Sequence, residues 1–247
     1  MIILVVGASG ATGRLLVERL LGEGHKVRAV VRSAGSLPER LTGNSNLTVI
    51  EATLLDLSDP EFSELVGDCD SVASCLGHTL SFKGIYGQPR RLVTEAVSRL
   101  CHACRTVERE APVKLVLMNT AGNRNRGLDE PISLAQRAII GALRFLVPPH
   151  RDNEEAAEYL RSKIGVEDGA VEWAVVRPDT LLNEESVSDF QVFESPIRSA
   201  IFDPGKTSRV NVASFMSKLL LDDSLWEEWK GRMPVIYNTE KPGLAES

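Results

Sequence analysis

Two hydrophobic patterns alternate along this chain: short apolar runs, and longer segments in which apolar residues recur every three or four positions. The runs predict β-strands, and the longer segments predict helices. The predicted strands cover residues 2–6, 26–31, 47–51, 71–74, 114–118 and 171–176. The predicted helices cover residues 12–21, 60–66, 88–110 and 153–163. Since such strands are joined by right-handed helical crossovers, the order predicts a Rossmann-like α/β fold, a doubly wound parallel sheet with helices on both faces.

The pattern predicts one domain over residues 1–247 with two additions to the core. The first is an inserted helical segment at about 122–150, whose apolar part at 132–147 suits a lid, an oligomer contact or a membrane-surface helix. The second is a small substrate-side region at about 180–240. It is predicted to contain an irregular loop at 190–204, a closing strand at 208–212, a helix at 213–221 and a short helix with Trp226 and Trp229. Residues 240–247 are expected to form a loose tail.

Composition narrows the class of partner. The 247 residues carry a formal net charge of −6, with 43% hydrophobic and 25% charged residues. This charge argues against nucleic acid as the main partner, because a phosphate backbone needs a clustered basic face. The sequence shows neither a signal-peptide pattern nor an uncharged stretch of membrane-spanning length. We therefore expect a cytoplasmic protein without a transmembrane segment, either a monomer or a weak homodimer, that acts on a small molecule.

The positions of the cysteines predict core packing rather than a redox or metal-binding role. Cys101 and Cys104 have the CxxC spacing that redox pairs and zinc half-sites also use. They share one helical stripe with Val97 and Leu100, which predicts that both thiols are buried. No second CxxC or HxxxH pair completes a metal site in the sequence, so we predict none.

The segment after the first predicted strand has the spacing of a dinucleotide-binding turn. It reads Gly7-Ala-Ser-Gly10-Ala-Thr-Gly13 and leads directly into a helix. Gly7 permits a tight turn, Gly10 lets the phosphates approach the backbone, and Gly13 lets the helix pack close to the strand. Free N–H groups at the helix N-terminus favour an anion. The predicted cofactor contacts are Gly7, Ser9, Gly10, Ala11, Thr12 and Gly13.

The end of the second strand indicates which dinucleotide is bound. NAD-preferring domains commonly place an acidic residue there for the ribose 2′-hydroxyl, whereas this chain has Arg32 and Ser33. A guanidinium and a hydroxyl suit a 2′-phosphate, so NADP is predicted over NAD; a solvated Arg32 is the alternative. After the third strand, Asp56 and Leu57 are placed to frame the adenine, unless Asp56 only caps the next helix.

Other candidates follow the later strands. Leu76 and Gly77 follow the fourth strand, where glycine would let the chain pass close to a cofactor. His78, beside them, either contacts substrate or is incidental. Asp179 follows the sixth strand and either meets the substrate end of the cofactor or caps a turn.

These motifs fall in an order that resembles the atypical short-chain dehydrogenase/reductases, and within them the NmrA-like NAD(P)-binding group. The resemblance covers about residues 1–221. The matching motifs are Gly7-x-x-Gly10-x-x-Gly13, Val31-Arg32, Asp56-Leu57, Leu76-Gly77, the strand ending in Asn119-Thr120, and Trp173-Ala-Val-Val-Arg177-Pro178. The group includes NADPH-dependent flavin (biliverdin-IXβ) reductases. The resemblance implies that Gly77 and Pro178 bracket the nicotinamide.

The catalytic positions depart from that superfamily. Its usual apparatus is a Ser or Thr after the fifth strand and a Tyr-x-x-x-Lys helix. The resemblance places Thr120 at the hydroxyl position, with the amide of Asn119 beside it. Tyr159 and Lys163 match the helix motif literally but lie too close to the sixth strand.

Counting back from Arg177 instead puts His150 near the tyrosine position and Glu154 near the lysine position. A histidine there can donate a proton near neutral pH. We predict Thr120 and His150 as the catalytic candidates. His150 is expected to lie on a loop, directly after Pro148 and Pro149.

The sequence therefore predicts an NADPH-dependent oxidoreductase that transfers hydride to a small conjugated acceptor, such as a flavin, quinone or biliverdin. The missing tyrosine and lysine resemble the flavin-reductase branch, where positioning and water exclusion matter most. Two alternatives remain: a non-catalytic NADP sensor or scaffold of the NmrA type, and an NAD(P)-dependent epimerase or isomerase.

Overall fold

The predicted strands lie side by side in one sheet. The computed structural model describes residues 1–78, 86–128, 130 and 133–239. Its strands are β1 (Ile2–Val6), β2 (Lys26–Val31), β3 (Leu47–Glu51), β4 (Ser71–Ser74), β5 (Val113–Met118), β6 (Val171–Pro178), β7 (Thr180–Leu182), β8 (Phe190–Phe193), β9 (Lys206–Ser208) and β10 (Val235–Asn238). The main sheet has the order β3-β2-β1-β4-β5-β6-β10-β8, in which β8 alone is antiparallel to its neighbour, while β7 and β9 form a separate parallel pair. The predicted doubly wound parallel sheet is confirmed.

Helices cover both faces of this sheet. They are α1 (Ala11–Gly22), α2 (Glu39–Thr42), α3 (Asp59–Val66), α4 (Leu92–Thr106), α5 (Leu134–Leu146), α6 (Pro148–Tyr159), α7 (Arg209–Leu221) and α8 (Asp223–Trp229). On one face α4 packs between α3 and α6, and on the other α1 packs against α7, which packs against α8. No helix of the described part of the chain is both long enough and apolar enough to cross a membrane.

The central strands are apolar along their whole length because both of their sides are covered. In β1, Leu4 and Val6 belong to the core on the α4 face, whereas Ile3 and Val5 belong to the core on the α1 face. All four are fully buried. Burial of each such side chain stabilises the fold by about 1.5–3 kcal/mol, and the continuous run is the pattern expected for a buried parallel strand.

The chain reverses direction between β1 and β4. It builds outward from β1 through β2 to β3, then crosses back to β4 and builds the other way to β6. The loops that leave β1 and β4 therefore diverge above adjacent strands. In doubly wound sheets this divergence opens a crevice at the carboxyl ends of the strands, where ligands bind.

Two predicted elements in the C-terminal region were wrong in detail. The loop predicted at 190–204 begins with β8, which pairs with the edge of β10. The strand predicted at 208–212 ends at Ser208, because the Ser208 hydroxyl accepts a hydrogen bond from the Asn211 N–H at 3.2 Å and so starts α7. The short helix with Trp226 and Trp229 is present, and both rings are buried. The predicted tail at 240–247 lies outside the described residues.

Two helices also differ from the prediction at their ends. The helix predicted at 88–110 spans only Leu92–Thr106, since Arg109 turns back to donate to the carbonyls of Val66, Gly67 and Cys69. The helix predicted from 153 begins at Pro148, a residue type favoured in the first turn, and its end continues as one turn of π-helix at Leu160–Ile164.

The cysteines pack in the core, as the helical stripe predicts. Cys101 and Cys104 are fully buried between α4 and the sheet. Burial raises the pKa of the Cys104 thiol to about 12 and raises the pKa of Cys101 as well. Both are therefore protonated and inert at neutral pH.

Candidate functional site

Backbone contacts require glycine at both ends of the turn after β1. Gly7 has a φ of 77°, and a Cβ on it would lie 2.5 Å from the carbonyl carbon of Cys75, just after β4. A Cβ on Gly13 would lie 2.2 Å from the Gly7 carbonyl oxygen. Only glycine permits these approaches. The close helix–strand packing predicted at Gly13 is confirmed, and the turn also touches the chain that leaves β4.

The first turn of α1 presents free backbone N–H groups. Gly10 is the N-cap, so no side chain satisfies these donors, and the first turn carries no acidic residue. Gly10 and Ala11 are exposed, Ser9 is half-buried, and Thr12 is buried. A Cβ on Gly10 would lie 3.2 Å from the Gly7 oxygen, so the space in front of it is shallow. A helix N-terminus of this form fits a pyrophosphate.

The loop after β2 carries one cation, Arg32, and is contacted by one carboxylate, that of Glu51. Arg32 and Ser33 are exposed, and among the described residues the Arg32 guanidinium has no ion pair or hydrogen bond. The Glu51 carboxylate, at the end of β3, accepts a hydrogen bond from the Ala34 N–H at 2.7 Å. Sequence reasoning missed Glu51, because nothing in the local pattern indicates that the last residue of β3 reaches the β2 loop.

Asp56 and Leu57 lie beyond β3, on the far side of that loop. Asp56 ends a short 3-10 turn and is exposed, while Leu57 is half-buried against the core. The alternative that Asp56 caps α3 is wrong. Ser58 is the N-cap, and it forms a reciprocal pair with Glu61 in which each side chain accepts from the other's backbone N–H.

The residues after β4 border the crevice. Leu76 is half-buried against the core, and Gly77 is exposed. No described residue lies within 4 Å of the position that a Cβ on Gly77 would take. The Nε2 of His78, the next residue, lies 2.8 Å from the Asp152 carboxylate on α6.

Asp152 is a buried carboxylate that caps another helix. The N-cap residue of α4 supplies no side-chain acceptor, and Asp152 accepts instead from the N–H groups of Val93 and Thr94, at 2.8 and 3.0 Å, and from the Thr94 hydroxyl at 2.7 Å. Burial raises the pKa of Asp152, but the hydrogen bonds from His78 and Thr94 outweigh burial and lower it. The side chain is therefore ionised and saturated. No local signal marks it, because its partners are 58 or more residues away.

Thr120 and Asn119 follow β5 and face different surroundings. Asn119 is buried, and its side chain donates to the Asn153 carbonyl at 2.9 Å and accepts from the Thr120 N–H and the Asn123 amide. Thr120 is half-buried, and its Oγ1 accepts from the Gly122 N–H at 3.2 Å. The hydroxyl hydrogen of Thr120 remains available, whereas the amide of Asn119 is committed to the loop.

His150 lies in the first turn of α6, not on a loop as predicted, because Pro148 starts the helix earlier. A Cβ on Gly122 would lie 3.8 Å from His150 Cε1 and 3.7 Å from Thr120 Oγ1, so both predicted catalytic side chains border Gly122. The structure thus brings the two together.

The imidazole of His150 is half-buried and incompletely paired. Its Nε2 is inaccessible to solvent and has no hydrogen-bond partner among the described residues, and a carboxylate oxygen of Glu154 is 3.6 Å away. Arg144 holds Glu154 in a two-point contact at 2.6 and 2.9 Å. Burial lowers the pKa of His150, Glu154 raises it and Arg144 lowers it, with a net decrease. The ring is therefore neutral at pH 7.

The literal Tyr-x-x-x-Lys motif lies elsewhere. Tyr159 ends α6 and packs against the core, and Lys163 is exposed. Nine residues of helix separate Tyr159 from His150, a distance of about 14 Å at the helical rise. The literal motif therefore lies away from Gly122, and the register in which His150 and Glu154 take the place of the pair stays a prediction.

The residues at the end of β6 accept hydrogen bonds from backbone N–H groups of neighbouring segments. Pro178 is buried, and its carbonyl accepts from the Ala121 N–H at 2.8 Å. Asp179 accepts from the Gly205 N–H at 2.9 Å, which ties β6 to the segment before β9. Burial raises the pKa of Asp179, partly offset by these backbone contacts. This contact joins Asp179 to a segment 26 residues away and is neither of the two predicted roles; contact with the substrate end of the cofactor stays a prediction.

A buried ion pair fixes the loops beside this edge. Arg177 is fully buried, and its guanidinium donates to Glu130 at 2.7 Å, to the Asn123 carbonyl at 2.9 Å and to the Met233 carbonyl at 2.6 Å. The second oxygen of Glu130 accepts from the Asn125 N–H at 2.7 Å. This network holds the segment that follows Gly122.

A cavity of about 230 Å³ lies over the loop after β5. Its floor is Ala121 and Gly122, and its walls come from α5 and from the loop after β8. The wall residues include Gln136, Ile140, Pro196, Ile197 and Ser199. The helix predicted as a possible lid therefore lines a cavity beside the Thr120 and His150 side chains.

Solved structures with the same fold include several oxidoreductases. The oxidoreductase ylbE from Lactococcus lactis has a TM-score of 0.68 at 16% identity, covering 98% of this chain and 92% of that chain. The anaerobilin reductase ChuY from Escherichia coli has a TM-score of 0.65 at 17% identity over 98% and 100% of the chains. A short-chain dehydrogenase/reductase from Veillonella parvula in complex with NADP has a TM-score of 0.64 at 16% identity over 98% and 95%.

At these identities the structural likeness establishes the fold. The search of curated proteins found no match. A family model described as NAD(P)H-binding matches residues 7–223, which include the glycine turn, the crevice and all of α7. The chain belongs to this NAD(P)H-binding family.

Proposed function

We propose that this protein is an NADPH-dependent reductase that delivers hydride to a small conjugated acceptor of the flavin, quinone or bilin type. The observation that carries the proposal is the buried, unpaired Nε2 of His150, beside Gly122 at the carboxyl edge of a dinucleotide-binding sheet. Anaerobilin reductase and oxidoreductase activities named for proteins of the same fold support this reaction class.

The residues present fit a dinucleotide. The N–H groups from Gly10 to Gly13 would hold the pyrophosphate, since the first turn of α1 lacks its own acceptor. Arg32 and Ser33 would hold the 2′-phosphate, and Asp56 with Leu57 would frame the adenine. Leu76, Gly77 and Pro178 would border the nicotinamide end. When bound, the reduced nicotinamide supplies a hydride, that is, two electrons and one hydrogen.

Thr120 and His150 would act on the acceptor. An acceptor atom gains negative charge as the hydride arrives, and donors already aimed at it stabilise that charge. The Thr120 hydroxyl retains its hydrogen, and the neutral His150 ring carries one N–H. Either donor can orient the acceptor through a hydrogen bond, and because the His150 ring is neutral, the proton that completes the reduction comes from solvent. The walls of the 230 Å³ cavity would exclude water from the reacting atoms.

Turnover with a panel of acceptors tests this proposal. Purified protein is mixed with NADPH and with FMN, biliverdin or quinones, and NADPH oxidation is followed by absorbance. We expect turnover with at least one planar conjugated acceptor. Tight NADPH binding with no turnover across the panel would contradict the reductase function and favour an NADP sensor.

The cofactor preference is tested at Arg32. Arg32→Glu removes a charge-assisted contact to the 2′-phosphate, so we expect the Kd of NADPH to rise about 10- to 100-fold and that of NADH to change about threefold or less. Lys26→Glu makes the same charge change at the other end of β2 and is the matched control. Equal losses for both dinucleotides in Arg32→Glu would refute the 2′-phosphate role.

A further inference from the structure

Four arginines surround a second cavity, of about 460 Å³, beside the first turn of α6. Two of them precede α4, one lies near the end of α5 and one lies in α6. The lining residues are Arg90, Arg91, Arg144, Arg151, Pro148, Asp152 and Glu155. We call this the arginine cavity.

The carboxylates of the arginine cavity do not balance its guanidinium groups. Glu155 pairs with both Arg91, at 3.0 Å, and Arg151, at 2.7 Å. Arg90 is exposed and, within the described residues, has no ion pair. The Asp152 carboxylate is already saturated by the α4 amides and His78. Together with Glu154, which pairs with Arg144, the four guanidinium groups face three carboxylates, so among the described residues the cavity keeps a net charge of +1.

The arginine cavity adjoins the proposed reaction site. Arg144 lines it and also holds Glu154, whose carboxylate lies 3.6 Å from His150 Nε2. A molecule whose ring lies beside Gly122 and His150 can thus extend an attached group toward the arginines.

We propose that the arginine cavity binds an oxyanionic group of the acceptor, a phosphate or a carboxylate. Guanidinium groups match the oxygens of these anions in geometry and charge. The carboxylate shared by Arg91 and Arg151 holds both guanidinium groups in place before the ligand arrives, which lowers the entropy lost on binding. The acceptor class is then a conjugated ring with an anionic side chain, and this inference rests on the proposed reductase function.

FMN and riboflavin test the proposal because they share one ring system and differ by a phosphate. Their Kd values are measured by flavin fluorescence with NADP⁺ present, without turnover. We expect FMN to bind at least about tenfold more tightly than riboflavin. Arg90→Gln/Arg151→Gln should weaken FMN binding about tenfold and leave riboflavin unchanged. Arg40→Gln/Arg232→Gln, which changes two exposed arginines outside the cavity, should affect neither ligand.

A second pair of ligands separates phosphate from carboxylate. Biliverdin and its dimethyl ester share one chromophore, but the ester carries two uncharged methyl esters in place of two carboxylates, so a preference for biliverdin that is lost in Arg90→Gln/Arg151→Gln identifies a carboxylate site. Equal affinities within both ligand pairs, or equal losses for both members in the variant, would overturn the proposal. Absence of NADPH oxidation would count against the reductase function alone, because binding is measured independently.

Discussion

The Arg177–Glu130 pair and the His150–Glu154 pair are both withdrawn from solvent at the same edge of the sheet, but they differ in how completely they are paired. The Arg177 guanidinium has an acceptor for each of its three nitrogens, and both oxygens of Glu130 accept hydrogen bonds. His150 Nε2 has none, and its carboxylate is 3.6 Å away. The hydrogen bonds of the Arg177–Glu130 pair are complete, whereas the His150–Glu154 pair leaves the His150 Nε2 without a hydrogen-bond partner among the described residues.

This difference distinguishes buried polar groups that stabilise the fold from buried polar groups that can bind a ligand. A buried charge is tolerated when its hydrogen bonds are complete, and breaking such a set is costly. A buried polar atom without a partner costs stability in the resting protein, and it can recover that cost by bonding a ligand. We infer that Arg177 holds the loops and that His150 serves the acceptor.

Removing Arg177 should have the largest effect. Arg177→Met leaves Glu130 charged, buried and unpaired, so we expect the free energy of unfolding to fall by about 3–5 kcal/mol in urea denaturation. Arg232→Met, which breaks an exposed pair with Glu194, should cost about 1 kcal/mol or less. Addition of Glu130→Gln to Arg177→Met should restore part of the loss. Similar decreases in the free energy of unfolding of Arg177→Met and Arg232→Met would show that the buried pair of Arg177 and Glu130 stabilises the fold no more than an exposed pair does.

Removing His150 should affect turnover rather than folding. In His150→Gln we expect kcat with the best acceptor to fall about 100-fold, with the NADPH Kd unchanged and the free energy of unfolding altered by less than about 1 kcal/mol. His102→Gln changes an exposed histidine on α4 and should leave both unchanged. Full activity in His150→Gln would eliminate the proposed role and leave Thr120 as the donor.

Asp152 is an intermediate case. Its buried carboxylate has a complete set of hydrogen bonds, which come from His78 and from the N–H groups and the hydroxyl at the start of α4. Asp152→Asn keeps the shape and removes the charge that α4 and His78 bind, so we expect a loss of about 2 kcal/mol. Hydrogen exchange should become faster first at the N–H groups of Val93 and Thr94. Asp203→Asn, at an exposed pair with Arg198, should be close to neutral. Unchanged protection at the start of α4 would contradict the capping role.

The smallest effect should be a pH dependence of stability. Burial lowers the folded pKa of His150 below its unfolded value of about 6.5, so between those two values the unfolded state binds a proton that the folded state does not. The stability associated with neutral His150 is present above the unfolded pKa and is lost as the pH falls toward the folded pKa. In urea titrations, His150→Gln should therefore lose less stability than wild type on acidification below about pH 6.5. The same slope in both proteins would show that the ring is not held neutral.

The fold was predictable where local and tertiary preferences agree. Strands β1, β2, β5 and β6 each contain an apolar run that can be recognised alone. Strands β8 and β10 are four residues each and are defined by pairing, β8 with β10 and β10 also with β6, which leaves a weak local signal. The start of α7 was missed for a similar reason, because one serine cap decides it.

The candidate site was predictable only along single segments. The glycine turn, Arg32 and Thr120 each follow a strand, so the fold itself places them at one edge. Asp152 and Glu51 act through contacts with distant segments, and the arginine cavity combines residues of three elements that no spacing rule connects. Counting back from Arg177 selected His150, which the structure brings beside Gly122 and Thr120, but its helical conformation and its unpaired nitrogen emerge only from packing.

The cap that Asp152 provides for α4 also has a consequence for synthesis. Thr94 is translated 58 residues before Asp152, which corresponds to about 3–12 seconds at ordinary elongation rates. During that interval the first N–H groups of α4 have no carboxylate to bind, so the beginning of this helix stays frayed on the ribosome. The N-terminal half of the sheet can assemble early, but α4 reaches its final form only when α6 emerges and docks beside it.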